Sequence, residues 1–237
     1  MIGLGTVINT LAIILGGLGG LLFGRFLKGS VQDALCKACG VSTLFLGIAG
    51  ALEGMLTVEG TGVVSGGAML VIGCIALGSL IGGLLNLEDG MERFGQWLKI
   101  KTGNARDARF VDAFVTASLT VCIGAMAIVG SIQDGIKGDY SILAAKAVLD
   151  FIIIMVMTCS MGKGCIFSAI PVAIFQGSIT ALAGLIKPLI TDAALSNLSM
   201  IGSILIFCVG VNLVWGKKIQ VANMLPAVVL AVAAAFL

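Results

Sequence analysis

Ile142-Leu143-Ala144-Ala145-Lys146-Ala147-Val148-Leu149-Asp150-Phe151-Ile152-Ile153-Ile154-Met155-Val156-Met157-Thr158-Cys159-Ser160-Met161 is an apolar run broken only by Lys146 and Asp150. A hydrocarbon core of about 30 Å asks for roughly 20 apolar residues of α-helix, so the segment has the length of a membrane span. Counting about 1.5 Å per residue from Ser141, Asp150 falls roughly 13 Å into the bilayer. A charge at that depth is costly and turns toward a bundle interior or a water-filled cavity. Lys146, one helical turn earlier on the same face, either pairs with Asp150 or snorkels to the surface. The functional reading makes Asp150 a cation or proton site with a built-in counter-charge. The alternative is an ion pair that locks this helix.

The neighbouring sequence repeats the pattern. Of 237 residues, 59% are hydrophobic and 11% charged, too little charge to cover the surface of a soluble domain. The expected fold is an all-α, polytopic transmembrane bundle of about eight helices. It forms one transmembrane domain over residues 1–237, with helices near 2–26, 38–56, 63–87, 110–132, 142–161, 165–186, 198–215 and 221–237. The first run lacks a basic leader and a cleavage site before Arg25, so it reads as a retained helix. The one long polar segment, 88–109, is amphipathic: Leu87, Met91, Phe94 and Leu98 recur at helical spacing with Trp97 beside them. It either lies on the inner membrane surface or packs on the bundle as an ordinary cytoplasmic helix.

Charge placement supports the count of eight. If the N-terminus is outside and helices alternate, the inner loops hold Arg25, Lys28, Lys37, Arg93, Lys99, Lys101, Arg106, Arg109, Lys163, Lys217 and Lys218. Only Lys137, Lys146 and Lys187 fall on the outer side, whereas the 12 acidic residues divide evenly. An asymmetry confined to basic residues is the positive-inside pattern, and it predicts both termini to be extracytoplasmic.

Glycine writes the expected packing. Gly16, Gly20 and Gly24 share one face of the first helix, and Gly50 with Gly54 and Gly78 with Gly82 repeat the spacing; small residues at this interval let helix backbones approach closely. Leu15 to Leu22 resembles Leu77 to Leu85, and Ile48 to Gly54 resembles Ile128 to Gly135 with one insertion. The first two helices thus read as a parallel hairpin repeat of the next two, an arrangement found in transporters.

Other polar residues join the candidate pathway. Gln133 and Asp134, with Glu53 as the counterpart in the repeat, would form an outer vestibule that attracts cations; helix-end capping is the alternative. Pro171 would break the sixth helix, freeing a carbonyl near Gln176 and Ser178, or would kink it for packing alone. Asn9 and Asn212 are intramembrane amides that line a path or hydrogen-bond between helices. Cys36-Lys37-Ala38-Cys39 has no second C-x-x-C, and the chain has no histidine. Metal centres, histidine triads and cofactors are therefore not expected. No phosphate-binding or nucleophile-elbow motif is present, and no basic patch interleaved with aromatics suits nucleic acid.

Three stretches carry a resemblance: Cys122 to Gly135 continuing to Lys146 and Asp150; Phe167 to Pro171 running on to Gln176-Gly177-Ser178-Ile179-Thr180; and Val211-Asn212-Leu213 with Asn223-Met224-Leu225-Pro226. They resemble the YdfK/YqgA-like (DUF554) family of uncharacterised bacterial membrane proteins across essentially the whole chain. The resemblance implies a multi-pass protein of the bacterial inner membrane and supplies no substrate.

The expected function is therefore a non-enzymatic transporter or channel for an ion or small polar solute, with the lipid bilayer as its surroundings and a homo-oligomer left open. The alternative is a membrane scaffold or regulator acting through residues 88–109.

Overall fold

A computed structural model describes residues 2–60 and 62–236, with backbone alone at Glu59 and Leu189. All eight apolar runs are largely helical. They form α1 (Leu4–Gly24), α2 (Gly29–Met55), α3 (Ala68–Leu84), α5 (Phe110–Cys122) with α6 (Ala125–Lys137), α7 (Ser141–Met161), α8 (Ala169–Ala181), α10 (Asp192–Trp215), and α11 (Val221–Met224) with α12 (Pro226–Ala233). The polar segment contributes α4 (Leu87–Lys101), and the short α9 (Ala183–Ile186) follows α8. Among the described residues, five helical stretches are long and apolar enough to cross a membrane singly; 68–101 and 110–137 qualify only as bent pairs and 221–236 is shorter, so the structure gives five to seven spans where eight were expected.

Several boundaries depart from expectation. The second helix begins nine residues before Ala38. Residues 29–37 are held helical in part by the Asp33–Lys37 pair at 2.9 Å, and at 27 residues the helix reaches about 40 Å, longer than the bilayer core. The third helix starts at Ala68 rather than Val63. Its expected first turn is instead a two-stranded antiparallel hairpin, Leu56–Glu59 with Gly62–Ser65, whose β-branched Thr57, Val58, Val63 and Val64 favour a pleated strand.

The largest correction concerns the broken span. Pro171 does not break the sixth helix. Residues 163–181 run on as one 19-residue stretch, a 3-10 turn (Lys163–Ser168) leading into α8. Pro171 is the third residue of α8, just past the change from 3-10 to α-helix, so its missing N–H falls where the hydrogen-bond pattern switches. The sharp bend lies two spans earlier, between α5 and α6, which meet at 63°. There Gly124 adopts φ 154° and ψ 145°, a conformation that side-chain-bearing residues rarely enter.

Backbone-to-backbone packing follows the glycines. A Cβ on Gly16 would run into the Phe151 carbonyl and one on Gly20 into that of Met155, which seats α1 on α7. Gly47 gives the same closeness between α2 and Phe207 of α10, and Gly82 between α3 and the Asn223 carbonyl of α11. The opposite face of α1 presents Val7, Leu11, Leu15, Leu18 and Leu22, each more than half exposed, a stripe suited to lipid. The hairpin repeat is not reproduced as matching shapes: α2 is one continuous helix and its counterpart is the bent α5–α6 pair.

At the centre stands α5. Although only 13 residues long, it buries nine of them, Phe110 and Phe114 completely. The amphipathic α4 docks on its first turns through Gly95, Leu98 and the Phe94–Phe114 ring contact, with Trp97 and Ile100 left outward. The basic loops converge at this end, since Gly29, Glu88, Arg109, Met161 and Lys217 line one cavity.

Candidate functional site

Lys146 and Asp150 sit four residues apart on α7 and meet. The Lys146 ammonium lies 2.7 and 2.8 Å from the two carboxylate oxygens, with both side chains less than one-tenth exposed. It also donates to the Val121 carbonyl at 2.9 Å. Val121 belongs to the last turn of α5, where carbonyls lack intrahelical partners, so the broken span is joined to the buried ion pair. The snorkelling alternative for Lys146 is thereby set aside.

Two amides extend this centre. Asn9 of α1 donates through Nδ2 to Asp150 Oδ2 at 3.0 Å and to Gln176 Oε1 of α8 at 3.3 Å. The carboxylate settles the amide orientation, because a flipped Asn9 would set oxygen against oxygen. Asn9 Oδ1 and Gln176 Nε2 are then buried without partners.

A second storey lies one helical turn away, toward the chain ends opposite the basic loops. Asp134 of α6, fully buried, accepts the Gly5 N–H at 3.0 Å and so caps the first turn of α1. Thr6 and Thr180 hydroxyls approach to 3.4 Å. Thr6 precedes Asn9 by three residues and Thr180 follows Gln176 by four, so each pair shares a helix face and the two storeys form one polar file. Five buried side-chain polar atoms lack a partner among the described residues; Asn9 Oδ1, Gln176 Nε2, Ser131 Oγ and Asp134 Oδ1 belong to these helix faces, and only Thr158 Oγ1 does not. Orphaned buried polar atoms are uncommon and costly, so their concentration here distinguishes the file from ordinary core.

The remaining candidates lie elsewhere. Ser178 is exposed and donates to its own helix at Phe175 O. Glu53 is exposed at the end of α2. Gln133, partly exposed, lines a cavity with Lys137 and Lys187, while Pro171 borders an apolar cavity of about 330 Å³ beside the break. Asn212 stitches the loop after α10: its Oδ1 accepts Lys218 and Ile219 N–H, both at 2.9 Å, and its Nδ2 donates to Ile219 O at 2.7 Å.

From the basic end a cavity of about 380 Å³ leads inward between Asp33, Glu88, Arg109, Asp112 and Lys217, past Thr116 and Ser160, to Leu119. Leu119 is two residues short of Val121, whose carbonyl Lys146 holds. Beside the cavity, Glu88 accepts the Ala222 N–H at 3.0 Å and bridges Lys217 at 2.9 Å; Lys217 also contacts Glu92. Burial opposes the charge on Lys217, but hydrogen bonds from Glu92 and Glu88 outweigh it and raise its pKa. Among the described residues no cluster of three or more His, Cys, Asp or Glu is placed to hold a metal.

Sequence reasoning missed the Val121 carbonyl, Ser131, Thr6, Thr180 and Glu88. The i, i+3 and i, i+4 spacing of Thr6 to Asn9 and Gln176 to Thr180 was a usable signal. The Val121 carbonyl left none, since it is freed by a backbone bend.

The family model described as "Protein of unknown function (DUF554)" matches residues 4–236. The chain is 30% identical over 227 residues to "Uncharacterized membrane protein YdfK" of Bacillus subtilis (strain 168), covering 95% of this chain and 93% of that protein. It is 29% identical over 232 residues to "Uncharacterized protein YqgA" of Escherichia coli (strain K12), covering 96% and 94%. No solved structure matches it significantly. With a family match running almost end to end and a relative at this identity over nearly its full length, the chain belongs to the DUF554 family.

Proposed function

We propose that this protein is a transporter or channel for an ion or small polar solute in a bacterial cell membrane, with both termini extracytoplasmic. The observation that carries the reading is the buried Lys146–Asp150 pair at a broken helix, extended by a file of polar groups with unpartnered atoms. Ionisable groups deep in a membrane mark solute or proton pathways more often than they serve packing, and irregular backbone at that depth persists where it lines a path or is sealed by protein. The cavity from the basic end stops at Leu119, and the polar file begins beyond it. Such an arrangement suits a state open to the cytoplasm and closed outward. A solute would pass between α1, α6, α7 and α8 while Lys146 releases the Val121 carbonyl and the α5–α6 bend moves. Purified protein in liposomes should support solute or ion flux that Asp150→Asn abolishes. Flux unchanged in that variant removes Asp150 from the mechanism.

One observation favours a second reading. Trp97 and Ile100 leave more than half of their surface exposed on α4, as a docking face for a protein partner would. A scaffold of this kind would lose partner capture with Trp97→Ala and show no flux in any variant.

A further inference from the structure

Asp134 is the most anomalous charge in the bundle. It is fully buried and its carboxylate accepts a single hydrogen bond, from Gly5 N at 3.0 Å. Among the described residues no Lys or Arg nitrogen lies within 4 Å of it, whereas Asp150 is matched by Lys146. The helix dipole at the start of α1 contributes about half a positive charge. The elements packed around it bring Gly5 and Thr6 from α1, Leu143 from α7, and Thr180 and Ala183 from α8 and α9. None of these titrates. Lys137, one turn on along α6, is exposed.

A second observation points to a ligand. Among the described residues Asp134 Oδ1 has no partner, and neither has Ser131 Oγ one turn earlier on the same helix, in a side chain that is also fully buried. The Thr6 and Thr180 hydroxyls stand 3.4 Å apart, too long for a firm O–H···O bond, which leaves lone pairs free nearby. The groups are all oxygens, the donor type that hard cations choose. With one carboxylate among them, a single positive charge balances the set.

We infer that Asp134 and Ser131, backed by the hydroxyls of Thr6 and Thr180, hold a sodium ion at the outer end of the polar file. The inference deepens the transport reading by supplying the cation that would couple to it. Its test is a binding measurement that does not depend on flux.

The full-length protein in detergent is melted in sodium, lithium, potassium or choline chloride at equal ionic strength, followed by tryptophan fluorescence. Sodium should raise the melting temperature saturably, Asp134→Asn should abolish the response, and Ser131→Ala should raise the half-saturating concentration at least tenfold. The asparagine oxygen still accepts the Gly5 N–H, so this variant removes charge and keeps the cap. If it fails to fold, Ser131→Ala and Thr180→Val carry the test. Melts in which sodium and choline coincide, or in which the variants match wild type in every salt, overturn the site. Flux without any cation response leaves the transport reading standing and removes this inference; a cation response without flux does the reverse.

Discussion

Replacing Lys146 by methionine keeps much of the side-chain length and deletes the ammonium. Asp150 is then left with one hydrogen bond, from Asn9, and the Val121 carbonyl with none. Stranding a buried charge in this way costs about 3–5 kcal/mol. Asp150→Leu strands the ammonium instead and falls in the same range. The double variant K146M/D150L removes both charges together, and apolar replacement of a buried pair is often neutral or stabilising, so it should lie within about 2 kcal/mol of wild type. The coupling free energy between the two sites is then at least about 4 kcal/mol, beyond the roughly 0.5–3 kcal/mol usual for contacting residues. Reversible unfolding in mixed micelles titrated with dodecyl sulfate measures all four corners of the cycle, with the exposed Lys137→Met as the reference for an ordinary lysine. The reasoning fails if Lys146→Met costs no more than Lys137→Met, or if the double variant costs the sum of the singles. The same double variant, stable and uncharged, should carry no flux. Flux in it would leave the pair a structural lock and nothing more.

Gly82→Ala places a methyl against the Asn223 carbonyl, whereas Gly83→Ala points into open space; the first should lose about 1–3 kcal/mol by overpacking and the second almost nothing in the same unfolding assay. Asn212→Ala removes the three hydrogen bonds that hold the loop after α10, so trypsin should cut at Lys217 and Lys218 several times faster than in wild type. The Lys217 clasp on Glu88 and Glu92 should weaken in alkali. Its pKa in the folded protein is raised above the ordinary 10.5, so its contribution is complete below that pH and is lost as pH climbs through the raised value. Melting temperatures of wild type and Lys217→Met should therefore converge above pH 10.5 and differ below it.

Much of this protein was decided by its sequence alone. Long apolar runs cannot be dissolved in water, and in lipid an isolated chain must satisfy its own backbone, which leaves helices. Helix existence and the placing of Lys146 and Asp150 on one face follow from local periodicity, because residues four apart on a helix are neighbours whatever surrounds them; that the two pair was left to the tertiary structure. The glycine faces were legible for the same reason.

What the tertiary structure decided is which helix breaks and which polar residues meet. Proline is the visible breaker in sequence, yet Pro171 sits where a 3-10 turn passes into α8 and the stretch runs on, while the Ile123–Gly124 break needs only a glycine among 34 and a lysine from another helix to take the loose carbonyl. Asn9, Gln176, Ser131 and Asp134 come from three helices far apart in the chain, and only packing brings them to one seam while sending Ser178, two residues from Gln176, to the outside. Local periodicity tells which face of its own helix a residue occupies; the identity of the face opposite is a long-range contact, set by where backbones can approach.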